Sequence, residues 1–227
     1  QGVYHLGEGD STAAGFYQDS TSNNRDGTLV DANGDTAQVA GKAGNTLDFT
    51  GDDDYVSLGN NVFGDPGDSV TVSAWFQVDS VAASHTIVAE YHFGVCGDFT
   101  LYVNDPNGDQ LQMSDGGGGN INFDVGYVPL LVGQWHYATF VSDATTAYAY
   151  MNGGLIRSAA DIDWRNLCTT VAVTIGKGFS SSVMNGKIDE VRVSNTNRSA
   201  DWVEAEHLFT KDSNRYTYGA EEGQWVF

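Results

Sequence analysis

The sequence is poor in proline, cysteine and long apolar runs, and each shortage excludes a class of protein. Three prolines in 227 residues leave no proline-rich linker, so residues 1–227 are expected to form a single domain. The two cysteines, Cys96 and Cys168, are far apart and lack the spacing of a zinc or redox motif. Apolar runs are strand-length, far below the ~20 residues of a membrane-spanning helix, which excludes membrane insertion.

Basic residues are scarce as well. Ten lysines and arginines stand against thirty acidic residues, which gives a formal net charge of −20. Phosphate backbones and anionic lipid surfaces attract basic patches, so this balance excludes nucleic acid as a partner and argues against an anionic membrane surface. Solubility, adaptation to a salty medium and calcium binding remain three alternative explanations for the many aspartates.

What the chain does have is glycine, aromatic residues and short alternating segments. In Val70–Val78 every second residue is apolar and the intervening ones are mostly polar, as expected for a strand with one buried face. With 28 glycines for tight turns, the pattern predicts an all-β fold, a two-sheet antiparallel β-sandwich. The Asn-Gly pair inside Met151–Leu155 is typical of a hairpin turn.

Thirteen strands are predicted from this pattern. They lie at Val3–Leu6, Thr46–Thr50, Tyr55–Leu58, Val70–Val78, Thr86–Phe93, Phe99–Asn104, Gln110–Ser114, Asn120–Val125, His136–Ser142, Thr146–Met151, Val171–Gly176, Lys187–Ser194 and Tyr216–Gly219.

One short C-terminal helix is predicted at Ala200–Phe209. Ser199 is a natural N-cap and Asp201 suits the positive end of the helix. The apolar residues form one stripe, which is expected to cap the sandwich. That stripe consists of Trp202, Ala205 and Leu208 or Phe209.

Asp189 lies in a strand whose alternation places it in apolar company. Strict alternation puts Ile188 and Arg192 on one face, and Asp189 with Val191 and Val193 on the other. A desolvated carboxylate needs partners. The alternatives are backbone amides, a neighbouring cationic side chain, or a bound cation.

Four segments together resemble the LamG-like jelly rolls of the concanavalin A-like lectin/glucanase superfamily. They are Asn45–Val56, Ser69–Phe76, Gly133–Phe140 with Ala149–Gly153, and Asn185–Val193, and the resemblance runs from about Val3 to Thr210. It implies a jelly roll fold. It does not single out a function, because this fold hosts lectins, carbohydrate-binding modules, adhesion domains, glycosidases and lyases.

The resemblance also implies a structural calcium site. LamG-like domains commonly bring an early Asp/Asn/Gly loop to the aspartate of the Ile-Asp-Glu-Val strand. Here that loop is Asp19–Gly27, whose hard oxygen donors suit Ca²⁺. The implied ligands are Asp19, Asn24, Asp26, the carbonyl of Gly27, and Asp189. The loop departs from the family pattern at Ser20-Thr21-Ser22, and a second acidic segment, Gly51–Tyr55, is interpreted as a turn between core strands.

An extracellular domain with two cysteines most simply forms one disulfide, Cys96 to Cys168. Closing so long a loop would stabilise the fold by roughly 4 kcal/mol in the chain-entropy model. The alternative is a pair of buried free thiols.

Candidate sugar-binding residues flank these cysteines. Sugar sites need exposed aromatic rings and polar groups for the hydroxyls, and the disulfide would bring two such stretches together. The candidates are Tyr91, His92, Tyr102, Trp164, Arg165, Asn166 and Phe179. The alternative is that these are ordinary half-buried residues on a sheet face or edge.

No catalytic pattern is found. The Glu-x-Asp-x-x-Glu strand of related glucanases is missing, and Glu204 and Glu206 are interpreted as solvated helix residues. The sequence therefore predicts a non-catalytic, calcium-stabilised module that binds a polysaccharide or glycan, is secreted or on the cell surface, and belongs to a larger multidomain extracellular protein. The alternatives are an adhesion or spacer domain and, less favoured, a divergent polysaccharide hydrolase or lyase.

Overall fold

The computed structural model describes residues 2–63, 69–81, 83–90, 99–104, 110–115, 119–124, 130–143, 145–160, 170–178 and 182–212. Strands and one helix occupy most of these ranges. The strands are β1 Gly2–Tyr4, β2 Thr28–Val30, β3 Ala37–Ala40, β4 Asn45–Thr50, β5 Tyr55–Asn60, β6 Val70–Val78, β7 His85–Glu90, β8 Phe99–Asn104, β9 Gln110–Asp115, β10 Gly119–Asp124, β11 His136–Ser142, β12 Thr146–Met151, β13 Gly154–Ala160, β14 Ala172–Ile175 and β15 Asn185–Ser194. The helix is α1 Ala200–Lys211.

The strands form two antiparallel sheets. The first has the order β13-β12-β11-β6-β15-β4-β3, with β1 also paired to β15, and the second has the order β10-β9-β8-β7-β14-β5-β2. β4 pairs with the first half of β15 and β1 with its second half. The predicted two-sheet antiparallel sandwich with one C-terminal helix is confirmed.

The core lies between the sheets and follows the alternation seen in the sequence. All five apolar positions of β6, from Val70 to Val78, belong to the main apolar cluster, which also contains Phe99 of β8 and Val173 of β14. Burying such side chains contributes roughly 1.5–3 kcal/mol each. The predicted inner face of β6 is confirmed.

The hairpin between β12 and β13 also matches its sequence signal. Asn152 and Gly153 have φ values of 52° and 81°, as the two central residues of a type I′ turn require. Met151 pairs with Gly154 across the turn.

Three strands were not predicted: β2, β3 and β13. Each is the outermost strand at one end of its sheet. β2 has only three residues, and β3 buries none of its four. An edge strand with few buried residues lacks the alternation that identifies strands in a sequence.

The helix begins where predicted but uses a different face. The Ser199 side chain accepts a hydrogen bond from the Trp202 amide, which confirms the N-cap. The buried residues are Val203, Glu206 and His207, whereas the predicted apolar stripe leaves its last members outside: Leu208 and Phe209 are 49% and 57% exposed. The interpretation of Glu206 as a solvated residue was also wrong, because the sheet beneath the helix offers it polar partners.

No helix in the part of the chain that the structure describes is both long and apolar enough to span a membrane.

A β-bulge in β15 overturns the predicted placement of Asp189. Asp189 pairs with Trp75 and Arg192 with Ser73, so one extra residue is inserted between them. Glu190 absorbs it with a φ of 53°. Directly opposed residues share a face, so Asp189 lies with Trp75 on the outer face of the first sheet, while Val191 lies in the core. Strict alternation failed because a bulge shifts the side-chain period by one residue.

Candidate functional site

The helix α1 covers the centre of the outer face of the first sheet. The rings of Trp75 and Tyr137 have centroids 5.1 Å apart, and the His207 ring lies 5.4 Å from Trp75 and 5.8 Å from Tyr137. Burial of His207, with the nearby Lys211 and Lys42, lowers its pKa to about 4. The helix α1 therefore occupies the part of this face around Trp75.

A buried network of charges holds the helix in place. Glu206 accepts hydrogen bonds from the Tyr137 hydroxyl and, at 3.2 Å, from Ser73. Arg192 lies between two carboxylates, with one nitrogen 3.3 Å from Glu206 and another 2.8 Å from Glu190. Burial raises the pKa of Glu206, whereas the hydrogen bonds and charges of His5 and Arg192 hold the pKa of Glu190 low against its burial. The network thus pairs both buried carboxylates with Arg192.

The second sheet, by contrast, keeps part of its outer face accessible. The alternation in β5 and β14 buries Val56, Leu58, Val173 and Ile175 and turns the intervening residues outward. A groove of about 200 Å³ lies over these outward side chains. It is lined by Tyr55, Ser57, Ala172, Thr174, Lys177 and Gly178.

Tyr55 and Lys177 give the groove its chemistry. The Lys177 ammonium lies 4.9 Å from the centroid of the Tyr55 ring, within cation–π range, and 2.9 Å from an Asp53 oxygen. The Thr174 hydroxyl donates to the Lys177 carbonyl and fixes the backbone there. The groove thus combines one aromatic ring, one paired ammonium group and the hydroxyls of Ser57 and Thr174.

Sequence reasoning missed both of these residues as site candidates. Tyr55 was assigned to the acidic turn, although its alternation with Val56 places it on an outward face. Lys177 follows β14, and nothing in its local sequence marks it. Only the pairing of β14 with β5 brings it over Tyr55.

Among the predicted sugar-binding residues, Tyr102 is described by the structure. It lies in β8 of the same sheet, opposite Thr86 of β7, and is half-buried. Burial raises its pKa. The others, with the predicted Cys96–Cys168 disulfide, lie outside the described residues: Tyr91, His92, Trp164, Arg165, Asn166 and Phe179.

The loop predicted to bind calcium is organised by hydrogen bonds to Asp19. Its carboxylate accepts from the amides of Val3 at 3.0 Å, Thr21 at 2.9 Å and Arg25 at 3.2 Å, and also from the Thr21 hydroxyl. These hydrogen bonds lower the pKa of Asp19 although burial acts in the opposite direction. Asp26 accepts from the Asp19 amide at 2.9 Å.

Two further predicted ligands also have protein partners. The Gly27 carbonyl accepts from the Tyr17 amide at 3.1 Å, and the exposed Asn24 amide group donates to the Ser22 carbonyl.

Asp189 is held by three backbone amides. Its carboxylate accepts from Lys42 at 2.7 Å, Ala43 at 2.9 Å and Glu190 at 2.8 Å. Burial raises its pKa to about 6, although these amides act in the opposite direction. Asp189 does not belong with Asp19 and Asp26 to any cluster of three converging acidic or histidine groups within the described ranges. Calcium at these positions therefore stays a prediction of the resemblance.

The architecture is that of a lectin-like jelly roll: two antiparallel sheets face to face, with one outer face partly open. The model of the Laminin_G_3 family, described as the concanavalin A-like lectin/glucanases superfamily, matches residues 49–204. Because the match covers more than half of the chain, the protein belongs to this family. No curated protein matches the chain in sequence.

Solved structures agree on the fold. Domain 4 of AbnA, an extracellular GH43 arabinanase from Geobacillus stearothermophilus solved with arabinotriose, has a TM-score of 0.71 at 18% identity and covers 90% of this chain and 96% of its own. The botulinum neurotoxin serotype G binding domain has a TM-score of 0.64 at 11% identity, covering 91% of this chain and 50% of its own. The binding domain of Paraclostridial Mosquitocidal Protein 1 has a TM-score of 0.64 at 16% identity, with 89% and 52% covered. At such identities the likeness concerns the fold alone.

Proposed function

We propose that this chain is a non-catalytic carbohydrate-binding module that works outside the cell as one part of a larger protein, and that a neutral glycan binds in the groove beside Tyr55. The observation that carries the proposal is the groove itself. Its lining places an aromatic ring beside hydroxyl groups and a backbone glycine on a rigid sheet face. Aromatic rings pack against the apolar faces of sugars, while hydroxyl and ammonium groups bind sugar hydroxyls.

The charge of the protein favours a neutral ligand. With a net charge of −20, the chain repels acidic polysaccharides at long range. The ammonium of Lys177 does not make the groove attractive to acidic sugars, because Asp53 is paired with it at 2.9 Å. The arabinotriose complex of AbnA domain 4 supports the proposal to the extent that a domain of this fold accommodates a neutral oligosaccharide.

The positions of the carboxylates support a role without catalysis. Hydrolysis of a glycosidic bond requires two carboxyl groups on either side of the bond, about 5–9.5 Å apart. Among the described residues, those that line the groove include no aspartate or glutamate. Glu190 and Glu206 are buried beside α1 and paired with Arg192.

Binding of neutral oligosaccharides, arabinotriose among them, tests the proposal by isothermal titration calorimetry. We expect Tyr55→Ala to weaken binding by about fivefold or more, because one ring–sugar contact is worth on the order of 1 kcal/mol or more. Tyr148→Ala is the matched control, since Tyr148 is a half-buried tyrosine of the other sheet and its loss should leave affinity unchanged. Binding that survives Tyr55→Ala but is lost in Trp164→Ala would move the site to the residues predicted around the cysteines.

A second candidate is an adhesion or spacer domain that contacts another protein. Leu131 and Val132 favour it, because these two adjacent residues before β11 are 48% and 53% exposed, and exposed apolar side chains mark contact surfaces when they cluster. Two of the similar structures are binding domains, one of botulinum neurotoxin serotype G and one of Paraclostridial Mosquitocidal Protein 1. If no neutral oligosaccharide binds the unsubstituted protein at millimolar concentration, the adhesion or spacer role replaces carbohydrate binding as the proposed function.

A further inference from the structure

Three carboxylates converge at the end of the sandwich where the chain passes from one sheet to the other. One oxygen each of Asp31, Asp35 and Asp54 lies within 4.8 Å of the other two. The pairing of Val30 with Tyr55 explains this meeting, because Asp31 directly follows Val30 and Asp54 directly precedes Tyr55. Asp35 is carried there by the short connection between β2 and β3.

Asp54 is the unusual member of this cluster. It is 1% exposed, and its Oδ1 atom has no hydrogen-bond partner, while its other oxygen lies 3.2 Å from the Thr50 hydroxyl. An unpartnered oxygen of a buried carboxylate destabilises the fold, and more so when the carboxylate is charged. By comparison, both oxygens of the buried Asp19 and Asp189 have donors.

The Thr36 hydroxyl beside the cluster is also unsatisfied. Thr36 is 6% exposed and its hydroxyl oxygen has no hydrogen-bond partner, although its amide donates to Asp31 at 3.3 Å. The Thr36 hydroxyl acts to lower the pKa of Asp54, against the effect of burial, but it does not have the geometry of a hydrogen bond. Two buried oxygens, from Asp54 and Thr36, thus lack a partner in one place.

The aspartates around Asp54 also have few donors and no paired cation among the described residues. The single proton of the Thr50 hydroxyl faces oxygens of three aspartates: Asp35 at 3.1 Å, Asp52 at 3.2 Å and Asp54 at 3.2 Å. One proton serves only one of them. Within the described ranges, no lysine or arginine forms an ion pair with Asp31 or with any of the three aspartates beside Thr50. The nearby Lys177 pairs with Asp53. Burial, and next a side-chain hydrogen bond with Asp52, raise the pKa of Asp54 to about 6.

We infer that Asp31, Asp35 and Asp54 bind a calcium ion, with the Thr36 hydroxyl as a further oxygen donor. Hard carboxylate and hydroxyl oxygens, without histidine or cysteine, are the ligand set of Ca²⁺, and its flexible coordination suits ligands from two loops. Asp31 is half-buried and Asp35 exposed, which leaves the ion a path from solvent. The ion would supply the positive charge that the cluster lacks and would fix the backbone next to Tyr55.

Calorimetric titration of the EDTA-stripped protein with CaCl₂, without sugar, tests this site separately from glycan binding. We expect one strong site, with affinity weakened at least about tenfold in Asp31→Asn and Asp35→Asn, because each loses one anionic ligand. Asp53→Asn is the control: it lies in the same acidic turn, is exposed and is not in the cluster. Terbium luminescence excited through tyrosine gives a second readout, since Tyr55 adjoins Asp54.

The outcomes separate this site from the one that the resemblance implies. Loss of calcium binding in Asp19→Asn, with binding intact in Asp31→Asn and Asp35→Asn, would overturn the inference and place the ion in the early loop. No heat of binding and no terbium signal up to about 1 mM, the weak limit of extracellular calcium modules, would also overturn it. Asp35→Asn keeps the test valid if Asp54→Asn does not fold, because Asp35 is exposed.

Discussion

The hydroxyl of Tyr137 donates a hydrogen bond to Glu206, which joins the middle of the first sheet to α1. The pair is buried, and Arg192 from a neighbouring strand lies 3.3 Å from the same glutamate. A helix that is partly polar on its inner face is therefore attached by matched charges as well as by apolar contact. Through this arrangement α1 covers the outer face of the first sheet around Trp75 and Tyr137.

Removing Glu206 should detach the helix. Glu206→Ala removes the acceptor of the Tyr137 and Ser73 hydroxyls and one of the two carboxylates beside Arg192, which keeps Glu190. The free energy of unfolding should therefore fall by about 1–3 kcal/mol. Urea denaturation measures this change. Glu204→Ala, an exposed position on the same helix, should change stability by less than about 0.5 kcal/mol. Equal effects of the two substitutions would mean that the network contributes nothing.

Acid should weaken the fold through His207. Its folded-state pKa is about 4, below the ordinary 6.5, because burial and then Lys211 and Lys42 disfavour the charged ring. Below pH 6.5 the unfolded chain gains a proton that the folded chain does not, so the free energy of unfolding decreases as pH falls from about 6.5 to 4 and this contribution then levels off.

Denaturation of the parent protein and of His207→Gln across this range isolates the effect. The parent should show the steeper loss of stability between pH 6.5 and 4, because glutamine does not titrate. Parallel curves for the two proteins would contradict the burial of a neutral His207.

Asp189 should stabilise the fold without calcium. Asp189→Ala leaves the amides of Lys42, Ala43 and Glu190 without their acceptor, at a cost of about 3 kcal/mol. Since these donors are protein groups, the difference from the parent protein should be the same in EDTA and in millimolar Ca²⁺. A difference that appears only with Ca²⁺, measured by urea denaturation, would instead support the calcium site implied by the family resemblance.

Gly186 should tolerate no side chain. Its φ is 137°, and a Cβ atom there would lie 2.1 Å from the Gln77 carbonyl oxygen of the neighbouring strand. Gly186→Ala should therefore destabilise the protein by more than about 3 kcal/mol. Gly59→Ala is a useful contrast: Gly59 has a φ of 74° with open space around it, so it should cost only about 1–2 kcal/mol for the backbone conformation. Thermal unfolding would distinguish the two, and similar melting temperatures would contradict the clash.

Much of the fold was readable from local pattern. The alternation of Val70–Val78, the Asn152-Gly153 turn and the Ser199 cap each depend on residues close in sequence, and each is confirmed. The edge strands β2, β3 and β13 were missed because few of their residues are buried. The buried face of the helix was predicted wrongly because hydrophobicity alone does not show that the sheet offers Glu206 polar partners.

The candidate sites depended much more on tertiary structure. The sequence by itself determined an acidic, all-β chain with two sheets, since its periodicity and composition act through neighbours along the chain. Only the tertiary structure decided that a bulge turns Asp189 out of the core, that Lys177 lies over Tyr55, and that Asp31 meets Asp54. The physical reason is the same in each case: strand register sets these distances, and register is fixed by the packing of the whole sandwich.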